Sequence, residues 1–204
     1  MSYKLNIFSV FLLFCFLPIS AQRLEVHVIK DLSNNNIVNK AWGVGGAIHL
    51  DQWVKKTTFG VHFDWTTYRP NGKKDNPRFD RMSGGIFAFY SLNVADNITI
   101  QCGVNVQYTH LKYSHIINYQ AIDSETEKPV TIQHTGDFIG IGPVLGFNYK
   151  LSKRFALRIS VVPTYLVSVK SKSTIPDVSP EYNKDLWLFP IQAGVTYKLF
   201  NSEK

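Results

Sequence analysis

Apolar and polar residues alternate along this chain in eight separate stretches. In the last of them Trp187, Phe189, Ile191, Ala193, Val195, Tyr197 and Leu199 fall on one side, and Leu188, Pro190, Gln192, Gly194, Thr196 and Lys198 on the other. Successive side chains of a β-strand point to opposite faces, so this period predicts a strand with one apolar face. The fifth stretch sets Ile98, Ile100, Cys102, Val104, Val106 and Tyr108 against Thr99, Gln101, Gly103, Asn105, Gln107 and Thr109. The sixth sets Ile139, Ile141, Leu145, Phe147 and Tyr149 against Gly140, Gly142, Val144, Gly146 and Asn148. Phe59, Val61, Phe63 and Trp65 mark the third, and Phe155, Leu157, Ile159, Val161, Tyr165 and Val167 the seventh. The second carries Trp42, Val44, Ile48 and Leu50. In the fourth, Met82, Ile86, Ala88 and Tyr90 oppose Arg81, Ser83, Gly85, Phe87 and Phe89, which puts two aromatic rings on the polar side. The first is short, with Leu24, Val26 and Val28 opposite a face that includes Ile29.

The connections alternate in length. Those near Asp51 to Lys56, Asn93 to Asn97 and Ser152 to Arg154 are short, whereas Asp31 to Asn39, Arg69 to Phe79, Tyr113 to Thr135 and Lys170 to Lys184 are long and polar. Outer-membrane barrels keep short turns in the periplasm and long loops outside the cell, so an even strand number leaves both termini periplasmic. On that topology Trp42, Trp65, Tyr108, Tyr165 and Trp187 fall near the outer interface. Phe59, Tyr90, Phe147, Tyr149, Phe155, Tyr197 and Phe200 fall near the inner one. These are the two girdles that amphipathic rings favour.

The N-terminus points the same way. Lys4 precedes an apolar run from Leu5 to Leu17, and Pro18-Ile19-Ser20-Ala21 offers a small residue for cleavage, so residues 1–21 read as a secretory signal and 22–204 as one barrel domain. Cys15 follows the bulky Phe14, which argues against lipidation. Cleavage lowers the formal charge from +7 to +6 and leaves Cys102 without an internal disulfide partner. The basic residues are dispersed rather than interleaved with aromatics, so nucleic-acid binding has no support.

A secreted soluble barrel of the lipocalin kind has similar length and strand number. It would turn Lys and Glu to water and line its cup with apolar groups, whereas the polar face here is Gly, Ser, Thr, Asn and Gln at mid-strand. The apolar face carries no Lys or Arg at mid-strand, where a lipid-facing cation would cost roughly 2 to 4 kcal/mol. The chain therefore resembles the small eight-stranded outer-membrane barrels, the OmpA-, OmpX- and OmpW-like group and the related porin-family barrels of Bacteroidetes. The resemblance spans residues 23 to 200. It implies an all-β, eight-stranded antiparallel up-and-down transmembrane barrel in the outer membrane of a Gram-negative bacterium. Gly194-Val195-Thr196-Tyr197-Lys198-Leu199-Phe200 looks like the C-terminal signal such proteins present to the barrel-assembly machinery, although Asn201-Ser202-Glu203-Lys204 follows the aromatic. Members of the group include adhesins, lipid-modifying enzymes, small channels and secretion accessories, so membership does not set the role.

Candidate chemistry is sparse. Glu25 and Lys198 lie near the periplasmic end of the closing seam, with Lys150, Arg158 and His49 also in the lower lumen. These charges read as an ion-pair network that fills a narrow interior, or as a gate in a small pore. His62, Asp64 and Ser83 share the inward face and invite comparison with a hydrolase triad, although a lipid substrate would meet the outer wall before the lumen. His110, His115 and His134 lack a metal-ligand spacing, and no cofactor is called for. Arg69, Lys73, Lys74 and Arg78 crowd the second long loop, and Lys170 and Lys172 begin the fourth; they suit anionic lipopolysaccharide head groups or an extracellular ligand. The third loop instead carries Asp123, Glu125 and Glu127, and the sequon Asn97-Ile98-Thr99 sits in a short turn. The expected role is non-enzymatic: structural, surface-interacting or accessory to secretion with an unidentified partner. A narrow solute channel and a lipid-modifying enzyme are the alternatives.

Overall fold

The computed structural model describes residues 22–32, 41–54, 56–68, 78–120, 127–173 and 186–199. Residues 1–21, read above as a secretory signal, together with Arg69, Lys73, Lys74, Phe200 and the four residues after it, lie outside the described residues. Ten strand segments form one sheet. They are β1 (Gln22–Asp31), β2 (Trp42–Val54), β3 (Thr57–Tyr68), β4 (Arg78–Ala95), β5 (Ile98–Gln120), β6 (Glu127–Lys150), β7 (Phe155–Val161), β8 (Thr164–Ser173), β9 (Leu186–Leu188) and β10 (Pro190–Lys198).

Every neighbouring pair is antiparallel, and β1 pairs with β2 on one side and β10 on the other, so the sheet closes on itself. The first strand, marked by only three alternating apolar residues, runs for ten residues and is hydrogen-bonded along both edges. Segments β7 and β8 are one stave, as are β9 and β10, which gives eight staves. The register on β6 is continuous from Leu145↔Val161 to Ile141↔Tyr165, and it sets Pro143 opposite Pro163. Neither proline has an N–H to donate, so the ladder breaks there without losing register. The same logic holds one stave further on, where Ile191↔Val161 and Tyr165↔Trp187 bring Phe189 against Pro163. Val162 N donates to Pro190 O at 3.1 Å and carries the pairing past the gap.

The short connections gather at one end. Val54↔Thr57 and Ala95↔Ile98 close two hairpins, the first with Lys56 at a φ of 64°, and Ser152 Oγ accepts from Phe155 N at 3.1 Å in the third. At the other end one expectation needs correcting. Tyr113 to Thr135, read as a loop, is mostly ladder: β5 and β6 stay paired out to Gln120↔Glu127. Beyond the hydrocarbon a hairpin still satisfies its own backbone donors and acceptors, and this stretch is rich in β-branched residues, so polarity alone does not end the strands.

The outward positions are apolar, with Val26, Phe63, Ile86, Val104, Ile141, Leu145 and Trp187 all exposed. Inward positions carry Glu25, His27, Asp64, Arg81, Gln101, Asn105, Arg158, Gln192 and Thr196, all buried. This inside-out arrangement belongs to a barrel that faces hydrocarbon. The lumen also departs from the expected lining of small neutral groups. At the long-loop end Ala41, Phe79, Leu111, Phe138, Leu166 and Leu188 pack into a dry core with Tyr68 and Leu186 against it. At the short-turn end Phe87 and Phe89 stack with ring centroids 5.5 Å apart. They fit because the inward positions beside them are Gly60 and Gly103, where any Cβ would collide with Phe87 or with the Phe89 backbone.

Phe138→Ala should therefore cost about 3–5 kcal/mol in urea unfolding of the folded barrel, because Phe138 is fully buried and its removal leaves a cavity. Phe147→Ala, on the exposed outer wall, should cost far less. Equal losses would contradict the assignment of the two faces.

Candidate functional site

The inward face of β1 carries Glu25, His27, Ile29 and Asp31, all buried. Because β1 lies at the seam, these residues meet partners from most of the wall. Arg158 Nη1 donates to both oxygens of Glu25, at 3.0 and 2.9 Å, and its Nε donates to Gln101 Oε1 at 2.9 Å. The guanidinium carbon also stands 5.3 Å above the Phe89 ring. His49 Nε2 lies 2.7 Å from the other side of the same carboxylate. His27 bridges two acids, with Nδ1 2.9 Å from Glu25 and Nε2 2.9 Å from Asp64. Asp64 is further held by Gln192 Nε2 at 3.1 Å and faces His62 Nδ1 at 3.3 Å. Above this cluster, Arg81 donates to Asp31 at 2.7 Å and to Thr66 at 3.0 Å.

A charge placed in so confined an interior is tolerable only with a partner of opposite sign. That condition organises the lumen. Two arginines and three histidines are interlocked with Glu25, Asp31 and Asp64, and Asn105, Gln107, Thr109 and Ser83 extend the chain of side-chain bonds across β4 and β5. Between these groups remains a cavity of about 30 Å³, lined by His27, His62, Asp64, Arg81, Ser83 and Gln107 among others. It has room for about two water molecules.

Of the five residues expected in the lumen network, Glu25, Arg158 and His49 meet. Lys150 and Lys198 do not join them: Lys150 is exposed at the end of β6, Lys198 is half-buried at the end of β10, and neither takes part in an ion pair among the described residues. Both long side chains sit where the stave leaves the barrel and can reach water, which solvates an ammonium better than a crowded lumen does. Of the residues that complete the network, His27, Asp64 and Arg81 are legible in the sequence only as members of inward faces, and Asp31, read as the start of a long connection, is the buried end of β1. Nothing in their spacing shows which staves bring them together.

The triad does not assemble. Asp64 and Ser83 are cross-strand partners, but Ser83 Oγ bonds Thr109 at 3.1 Å and His62 Nε2 turns to Asn105 at 3.0 Å. Nor do the other histidines converge. His134 is buried and stacks on Tyr113, His110 lies on the outer wall with Nδ1 2.7 Å from Asp137, and the His115 side chain lies outside the described residues. An oriented His–Asp pair on the lipid-facing wall has the form of a general base, yet the outward neighbours of His110 are Met82, Tyr108, Lys112 and Asp137, with no serine or cysteine among them. No metal-binding group of His, Cys, Asp and Glu occurs among the described residues. Of the loop cations, Arg78 is exposed at the start of β4 and Lys170 is exposed on β8 opposite Asp137, while Arg69, Lys73 and Lys74 lie outside the described residues and Lys172 is described only in its backbone.

No family model matches the sequence, and no curated protein matches it. Solved structures do match. A major outer membrane protein from Thermus thermophilus superposes with a TM-score of 0.59 at 12% identity, covering 88% of this chain and 98% of that one. Neisserial surface protein A gives 0.54 at 15% identity over 88% and 96%. The outer membrane protein OprG from Pseudomonas aeruginosa gives 0.53 at 12% identity over 89% and 97%. At such identities the likeness establishes the fold alone: a small closed antiparallel β-barrel like those of these outer-membrane proteins.

Arg158→Met should lower the unfolding free energy by about 3–5 kcal/mol, because it leaves the buried Glu25 carboxylate without its guanidinium. Combining it with Glu25→Gln should recover part of that loss in the same urea titration. A double variant no more stable than Arg158→Met would show that the two side chains are not energetically coupled.

Proposed function

We propose that this protein is an outer-membrane β-barrel of a Gram-negative cell, with both termini in the periplasm and a non-enzymatic role as a surface-interacting, structural or secretion-accessory element. The observation that carries this reading is the combination of an apolar outer wall with a lumen that, among the described residues, its own side chains occupy apart from one small cavity. The wall favours hydrocarbon as its surroundings. The short-turn and long-loop ends match the periplasmic and extracellular ends of such barrels.

The lumen argues against a conducting role. A permeating ion would have to pass the apolar core of Phe79, Leu111, Phe138, Leu166 and Leu188, which offers it no polar lining, and then the interlocked charges beneath it. Eight staves make a barrel just wide enough to be filled by its own side chains. The unassembled triad and the lack of a serine or cysteine beside His110 argue against hydrolysis. What remains variable is the loop end, where Arg78 and Lys170 stand at the rim and the long connections carry the other cations. Contact with anionic lipopolysaccharide or with a protein outside the cell would be made there, and the last strand would engage the barrel-assembly machinery.

Reconstituted into planar bilayers, the purified protein should give no steady, ion-selective openings. Reproducible conductance that changes with Arg158→Gln would replace this reading with a pore. Expression should also leave the lipid A mass spectrum unchanged. A new lipid A species lost in His62→Ala or His110→Ala would make the protein an enzyme.

A further inference from the structure

The cations that stay out of the lumen network gather at the short-turn end. Lys150 closes β6, Lys153 and Arg154 lie in the turn to β7, and Lys198 closes β10, on three adjoining staves. Backbone contacts hold these segments together: Lys198 N donates to Arg154 O at 2.8 Å, and Leu151 N to Phe155 O at 2.9 Å. Lys150, Lys153 and Arg154 are exposed and Lys198 is half-buried. None of the four is in an ion pair among the described residues. Residues 150–154 and 195–199 include no acid. Asp51 is occupied by Arg23 at 2.6 Å, and Asp96, in the turn between β4 and β5, pairs with none of the four. Cations crowded without counter-charge repel one another, and a bound anion relieves that repulsion.

The surroundings of this patch indicate the class of anion. Arg154 has the parity of an inward residue, yet its Nη1 donates to Tyr197 Oη at 3.4 Å. Tyr197 packs on Phe155, with ring centroids 4.9 Å apart, and Phe155 is 46% exposed on the outward face. The guanidinium is thereby drawn to the lipid side of the rim, beside aromatic rings of the kind that mark head-group depth. Leu151, between Lys150 and Lys153, is 54% exposed. Apolar groups interleaved with cations suit an amphiphile, with its chain against Leu151 and Phe155 and its phosphate against the charges. A cell-wall polyanion would leave those apolar groups in water. An arginine fork flanked by lysines matches a phosphodiester, and basic clusters at a membrane surface attract acidic lipid head groups.

We propose that the β6–β7 turn and the end of β10 form a site for the phosphate head group of an acidic phospholipid in the periplasmic leaflet. The choice of leaflet rests on the orientation proposed above; the head-group chemistry does not. The test reconstitutes the mature barrel in phosphatidylethanolamine vesicles holding a minority of phosphatidylglycerol, and reads the retained lipid by native mass spectrometry. Phosphatidylglycerol should be retained beyond its share. Lys150→Gln, Lys153→Gln and Arg154→Gln should each weaken that preference, by up to about fivefold per cation at low salt. Heat-modifiable gel mobility checks that each variant is folded. Lys56→Gln removes an exposed cation at the same end but on the turn between β2 and β3, and should leave the preference nearly unchanged.

Retention of the two lipids in their bulk ratio would overturn the site. So would an equal fall in Lys56→Gln, which would leave only a diffuse field. Adducts of free inorganic phosphate in place of lipid, or co-sedimentation with purified peptidoglycan without any lipid preference, would assign the patch to another ligand and overturn the proposal. Orientation is read separately: in a Cys102→Ser background, Lys153→Cys should react with an impermeant maleimide only after the outer membrane is opened. Labelling in intact cells would refute the periplasmic orientation, whatever the lipid preference measured in vesicles.

Discussion

In hydrocarbon a backbone N–H or C=O has no solvent to turn to, so every one of them in the wall must be paired within the sheet. The rest of this structure follows from that constraint. It requires the sheet to close, and closure falls on the pairing of β1 with β10, from Arg23↔Lys198 to Asp31↔Pro190. A first strand that stopped at the three residues whose alternation marks it would leave the last strand with a bare edge. The observed ten residues cover the whole of it. The same constraint explains why Pro143 and Pro163 fall together. Residues that cannot donate are least disruptive where they face one another, so one local gap in the ladder serves both staves.

Closure then sets the problem of the interior. An eight-stave barrel encloses a space that only side chains can fill, and half of all strand positions point into it. The chain fills the long-loop end with an apolar core, the middle with charge, and the short-turn end with Phe87 and Phe89 beside His49 and the Arg23–Asp51 pair. Glu25 is the pivot, because it receives Arg158, His27 and His49 at once from β7, β1 and β2. Cross-links of this kind tie non-adjacent staves together, which backbone ladders alone cannot do. They also specify register, since a slip of one residue on β1 would send Glu25 and His27 into lipid and bring Val26 inside.

This division explains what could be read from the sequence. The period of two along each stretch reports which face a residue occupies, so the eight staves, the wall and even the inward Phe87 and Phe89 were legible. The register between staves leaves no comparable trace. Glu25 and Arg158 are far apart in sequence and meet only because the barrel closes, so alternation could suggest their pairing without fixing it. Lys150 and Lys198 share the parity of inward residues, yet they lie past the last full turn of the wall, where parity no longer decides burial. Asp31 looked like the start of a loop. It is the buried anchor of Arg81, and Arg81 reads in the sequence as an inward residue with no visible partner. Polarity also misled over Tyr113 to Thr135, where the ladder continues because pairing, not hydrophobicity, sustains a hairpin in water.

A lumen so heavily cross-linked has little freedom to evolve a function. Changing one member of the Glu25–Asp64 network strands another, and the apolar core above it tolerates neither voids nor charge. The wall is restricted in a different way, for its chemistry must stay apolar and only its relief can vary. The rims answer to neither demand. Lys150, Lys153 and Arg154 are exposed at the short-turn end, and no member of the lumen network depends on them. Selection for a head group can act on the short turns, and selection for a partner outside the cell can act on the loops. The barrel's own stability thereby confines specificity to the two rims that closure leaves unconstrained.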